Sequence, residues 1–100
     1  MGGKEYYVYI LSNKYRTVLY IGVTSTLERR YFEHMQRKYS TSFTAQYNVH
    51  DLLYIETFSN PKDAIRREKQ LKGWTRSKKL HLIRRSNPTL RNIVEVDDDE

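Results

Sequence analysis

The 100-residue chain has no cysteine, only two prolines and only four glycines. The lack of cysteine excludes a disulfide framework and any zinc–thiolate site, and suits a reducing compartment. No run approaches the roughly 20 apolar residues that a membrane helix needs, and the first residues lack the apolar core of a signal peptide. The chain therefore reads as a soluble, cytoplasmic protein. It has no Gly-rich phosphate loop, no nucleophilic-serine motif and no internal repeat. Acids are scarce where the domain lies. Five of the twelve Asp and Glu fall in the last six residues, so residues 1–94 set eighteen basic side chains against seven acidic ones, a net of +11. A field of that sign draws polyanions, although many basic proteins simply have a solvated basic surface. One hundred residues allow one domain with a modest core.

Nine tyrosines are present, and several fall in alternating patterns. Residues 5–12 and 18–24 read as two strands, antiparallel because the link between them is short. Period-two alternation puts Val8, Ile10, Leu19, Ile21 and Val23 on one face, and Tyr7, Tyr9, Tyr20, Gly22 and Thr24 on the other. Ser25 or Thr26 caps a helix over about residues 26–38, with Leu27, Tyr31 and Met35 as its buried stripe. A third strand falls within 49–58, where Leu53 and Ile55 alternate with Tyr54 and Glu56. Asn60 caps a second helix with Pro61 in its first position, and Gly73 stops it. Trp74 is placed to fold back on Leu71. A third, basic helix covers about 76–86, closed by Asn87-Pro88, and a short extended segment lies within 89–96. The order strand, strand, helix, strand, helix, helix predicts an α+β domain, a three-stranded antiparallel sheet flanked by helices.

Glu68 falls inside the apolar arc marked by Ala64, Ile65 and Leu71. An inward carboxylate costs several kcal/mol unless it is paired or bound to a cation. Two partners offer themselves: a divalent metal, or Lys72 one helical turn on. Arg30 and His34 share one helical face beside Leu27. A guanidinium there can grip a phosphate through two parallel hydrogen bonds, and an imidazole can relay a proton. Both are equally ordinary as surface residues, and Tyr9 and Tyr20 are equally ordinary as core aromatics.

Taken together, Tyr7-Val8-Tyr9, Tyr20-Ile21-Gly22, Arg30 ten residues after Tyr20, His34 four residues later, and then Glu68 resemble the GIY-YIG nuclease family, in particular its small single-domain bacterial branch. The resemblance covers about residues 4–80, leaving 81–96 as a helix end and extension and 97–100 as an acidic tail. It implies metal-assisted phosphodiester hydrolysis. Glu68 would bind Mg²⁺ or Mn²⁺, Tyr9 would act as base or relay, and Tyr20 would position phosphate or water. Gly22 would leave room for substrate. The first motif departs from Gly-Ile-Tyr, and no asparagine lies between Glu68 and Asn87 to serve as the late asparagine of many members.

The basic series through the last two helices, with Lys72, Arg76, Lys78 and Lys79 at its centre, suits phosphate contacts that are salt-sensitive and blind to sequence. Tyr15, Tyr39 and Tyr47 lie in or near loops and are candidates for stacking on unpaired bases. The expected function is a metal-dependent endonuclease acting on DNA, RNA not being excluded, with structural preference and little sequence specificity. The alternative is a nucleic-acid-binding module on the same fold that does not cleave.

Overall fold

The computed structural model describes residues 4–29 and 48–94. Three strands, β1 (Tyr6–Ser12), β2 (Leu19–Thr24) and β3 (Asp51–Phe58), form one antiparallel sheet in the order β2-β1-β3. Two helices follow, α1 (Pro61–Lys72) and α2 (Arg76–Ser86). A further helical turn starts at residue 27, so Thr26 stands immediately before it. The remainder of the helix expected over 26–38, including Arg30, Tyr31, His34 and Met35, lies outside the described residues, as do Tyr39, Tyr47 and the acidic tail.

The helix ends follow their punctuation. The Asn60 side chain accepts from the Lys62 N–H at 2.8 Å, with Pro61 at the first position, where its missing donor costs nothing. Thr75 caps α2 by accepting from the Lys78 N–H at 3.2 Å. Gly73 closes α1 in ordinary right-handed backbone (φ −83°), so its freedom to adopt positive φ is unused there.

Both sheet faces are covered. On one face Val8, Ile10, Ile21 and Leu53 pack with Ala64 and Leu71 of α1 and Ile83 of α2. On the other, Tyr9, Leu11, Val49 and Leu52 are joined by Tyr20, Leu27, Ile55 and Val94. The face assignment of β1 and β2 therefore holds. That of β3 does not. The ladder shifts between Ile10 and Leu11, which pair with Tyr54 and Leu52, leaving Leu53 as the extra residue of a bulge. Leu53 joins the α1 face, while Ile55 faces the side of Tyr9.

Asn87, Asn92 and Ile93 cover the start of the outer edge of β3. Asn92 Oδ1 accepts from the Leu52 N–H at 3.0 Å, and the Ile93 N–H donates to the Leu52 carbonyl at 2.8 Å. Asn87, buried at the end of α2, donates to the carbonyls of Leu53 (3.1 Å) and Arg91 (2.8 Å). An exposed edge would offer unpaired backbone to other chains, and these contacts occupy it at Leu52 and Leu53, the start of β3. The expected extended segment is thus present as irregular backbone pinned by two asparagines.

Candidate active site

The β1–β2 register sets Tyr9 opposite Gly22 and Leu11 opposite Tyr20, so the two tyrosines are diagonal neighbours on one face. Their ring centroids lie 6.4 Å apart, with the planes inclined by 37°. Tyr9 is 3% exposed. Its ring crosses the edge strand at Gly22, where any Cβ would collide with the phenol Cζ and hydroxyl. This corrects the expected role of Gly22: the space it leaves is filled by Tyr9. The missing side chain lets the central-strand phenol carry its hydroxyl onto β2, beside Tyr20.

The inward stripe of α1 is Ala64, Glu68 and Leu71, spaced i, i+4, i+7; Ile65, which the sequence placed in the apolar arc, is exposed instead. The Glu68 side chain is only 15% exposed and accepts from Lys72 Nζ at 2.9 Å, while the lysine itself is 55% exposed. The ion-pair partner foreseen for Glu68 is therefore in place. Lys72 also reaches the β2 edge, where it lines an open cleft of ≈ 300 Å³ with Leu19, Tyr20, Ile21 and Lys79. Glu68, between Ala64 and Leu71, thus faces the side of the sheet opposite the Tyr9 and Tyr20 rings, and the two sides meet only at the β2 edge, where Lys72 and Tyr20 line the cleft.

The basic residues of α2 have different surroundings. Lys79 lies in the cleft, and Lys78 Nζ sits 4.4 Å from the centroid of the Trp74 ring. Arg76 donates to the backbone carbonyls of Arg16 and Thr17, anchoring the β1–β2 loop to the start of α2. Asn87 does not stand in for the late asparagine. Its amide is engaged along β3, at the sheet edge opposite β2.

One positioning device escaped the sequence reading. Arg67, adjacent to Glu68, makes a two-pronged bond to Glu56 of β3, Nε–Oε1 and Nη2–Oε2 both at 2.9 Å, and Tyr54 donates its hydroxyl to the same carboxylate at 2.5 Å. This clamps α1 to the sheet and so fixes the rotation that turns Glu68 inward. A signal existed: Arg67 lies three residues after Ala64 and four before Leu71, on the buried face. Burial resists ionisation of Glu56, but the bonds from Arg67 and Tyr54 prevail and hold its pKa below the usual carboxylate value. Burial and then the Glu56 bond push the Tyr54 phenol up to about 12.

The sign for Glu56 is that of a depressed carboxylate. Its contribution is fully present above the unfolded value, about 4.3, and is lost as pH falls through the folded one. Wild-type protein should therefore be more stable than Glu56→Gln at neutral pH, and the two urea midpoints should converge in acid. A constant gap down to pH 2 would remove the clamp from the account.

Among the described residues, no three His, Cys, Asp or Glu side chains cluster as a metal cage, and no helix is long and apolar enough to cross a membrane. The carboxylate nearest the cleft in the described contacts is Glu68, which is bonded to the cleft residue Lys72 and does not itself line the cleft. It fits Mg²⁺ or Mn²⁺, hard cations that bind through one or two protein carboxylates plus substrate phosphate.

Comparison with known proteins agrees with this architecture. Residues 5–81 match the GIY-YIG catalytic domain. A UPF0213 protein of Syntrophus aciditrophicus is 35% identical over 80% of this chain and 91% of its own length. One from Clostridium perfringens is 39% identical over 77% of this chain and 81% of its own length. The solution structure of a UPF0213 protein from Bacillus halodurans superposes with a TM-score of 0.57 at 26% identity, covering 95% of this chain and 99% of the other. With its paired tyrosines on adjoining strands and its match over three-quarters of its length, the chain belongs to the GIY-YIG family, within the nuclease superfamily.

Proposed function

We propose that the protein is a metal-dependent endonuclease that hydrolyses DNA phosphodiester bonds, with a preference for structure over sequence. The observation that carries this reading is the placement of the Tyr9 hydroxyl on β2 beside Tyr20, at the strand whose edge borders the cleft of Lys72 and Lys79. Glu68 would hold the divalent ion, which when bound polarises the phosphate and stabilises the leaving oxygen. The Tyr9 hydroxyl takes a hydrogen bond from the attacking water and relays its proton. Tyr20 orients the phosphate, Arg30 grips it, and His34 assists the proton transfer. Lys72, Lys78 and Lys79 hold flanking phosphates, with Arg76 beside them fixing the hairpin loop.

The test is nicking of supercoiled DNA with Mg²⁺ or Mn²⁺ and its suppression by EDTA. Lys78→Ala with Lys79→Ala should weaken DNA binding and flatten its salt dependence by about one unit of log–log slope per lost phosphate contact. An unchanged slope in a binding titration would place α2 away from the nucleic acid.

One observation favours a second reading. Lys72 neutralises Glu68 at 2.9 Å, and a carboxylate locked in that pair holds no cation. The protein would then bind nucleic acid without cleaving it. Wild-type protein that nicks no substrate with any divalent ion would support this reading over the first.

A further inference from the structure

Tyr15, at the tip of the β1–β2 hairpin, is 77% exposed, the most exposed large apolar side chain among the described residues. Its loop is nevertheless tightly held. Asn13 Oδ1 accepts from the N–H groups of Thr17 (2.8 Å) and Val18 (3.1 Å), and Nδ2 donates to Thr17 Oγ1 at 2.6 Å. Arg16 takes a positive φ of 59°, a conformation that costs a side-chain-bearing residue free energy. Its guanidinium offsets that cost by bonding Asp51 at 2.7 Å and the Leu90 carbonyl at 2.7 Å. Arg76 holds the loop from the other side through the carbonyls of Arg16 and Thr17.

An exposed aromatic ring on a pre-ordered loop loses little freedom when it binds a flat partner. The charge around it suits a nucleotide. Lys14 Nζ stands 5.7 Å from the Tyr15 centroid. The loop runs directly into Leu19 and Tyr20 at the cleft, and Arg76 ties it to the helix that carries Lys79. The hairpin tip is thus joined to the cleft through β2 on one side and through Arg76 and its helix on the other. Bases inside an intact duplex have both faces covered by their neighbours; only unpaired bases can offer one.

We propose that Tyr15 is a stacking platform for an unpaired base, so that the preferred substrate class is single-stranded or locally unpaired DNA. The proposal rests on the nucleic-acid reading above and deepens it. The experiment uses the full chain with two oligonucleotides of one sequence, a single strand carrying 2-aminopurine and its duplex. Wild-type protein should quench the single-strand fluorescence, and Tyr15→Phe should keep the effect. Tyr15→Ala, checked for an unchanged melting temperature, should lose the quenching and bind the single strand on the order of tenfold more weakly. Its affinity for duplex should stay as it was. Binding of the single strand without Tyr15-dependent quenching, or equal losses on both oligonucleotides, overturns the proposal and leaves the nucleic-acid reading standing. No binding to either oligonucleotide overturns both.

Discussion

Glu68→Gln should lower metal-dependent nicking by on the order of a hundredfold or more while leaving the protein folded. That scale is what the loss of one key transition-state stabiliser produces. The substitution keeps the shape of the side chain and an oxygen that can still accept from Lys72, but removes the charge that would hold the cation. Stability should change little, because the partner lysine is half exposed and such pairs contribute only about 0–1 kcal/mol. DNA binding without metal should survive or improve slightly, since a negative charge leaves a polyanion site. If Glu68 serves only as the partner of Lys72, the variant should lose a little stability and keep its cleavage rate per folded molecule. Thermal melting and nicking measured on the same preparation separate the two cases.

Gly22→Ala should be the most damaging single-methyl change in the site. The new Cβ would meet the Tyr9 hydroxyl and Cζ, so the phenol must move. Tyr9 is almost fully buried in the cluster with Leu11, Val49 and Leu52, and has little room to do so. Overpacking of this kind costs about 1–3 kcal/mol, which lowers the melting temperature of a domain this size by on the order of 10 °C. Displacing the hydroxyl by about 1 Å should cost a further factor of about a hundred in cleavage per folded molecule. In a double-mutant cycle with Tyr9→Ala, the two losses should be strongly non-additive, because the truncated residue no longer meets the new methyl. Additive losses, or a Gly22→Ala variant with wild-type stability and nicking, would refute the crossing of the ring over Gly22.

Much of this fold was legible because its signals are local. Asn60-Pro61 and Asn87-Pro88 mark helix ends by chemistry that operates within four residues. Strict alternation in β1 and β2 sorted Tyr9 and Tyr20 onto one face. The parts that were not legible depend on distant partners. Leu53 and Ile55 alternate in the sequence as if they shared a face, and only the pairing with β1 reveals the bulge that sends them to opposite faces. Asn92 and Asn87 bind backbone forty and thirty-four residues away. Ile65 looked inward because an apolar arc drawn from sequence cannot tell that Arg67, bonded to Glu56, takes the buried place. In the site, the side-chain types at Tyr9, Tyr20 and Glu68 stood out by spacing. The reason for Gly22 did not, since it depends on a ring arriving from the neighbouring strand.

Tyr9 belongs to the strand that is hydrogen-bonded along both sides, between β2 and β3. Amide protons in such a strand exchange with solvent only through the largest openings of a domain, whereas edge strands and helix ends open more readily. The proposed proton relay is therefore tied to the slowest-exchanging part of the molecule. A partly opened form that frays at β2 or releases the C-terminal segment would keep Tyr9 in its strand but lose the surroundings that orient it. The backbone of Tyr9 would be the last component of the site to leave its place on unfolding, while the placement of its phenol over Gly22 would go as soon as β2 frays.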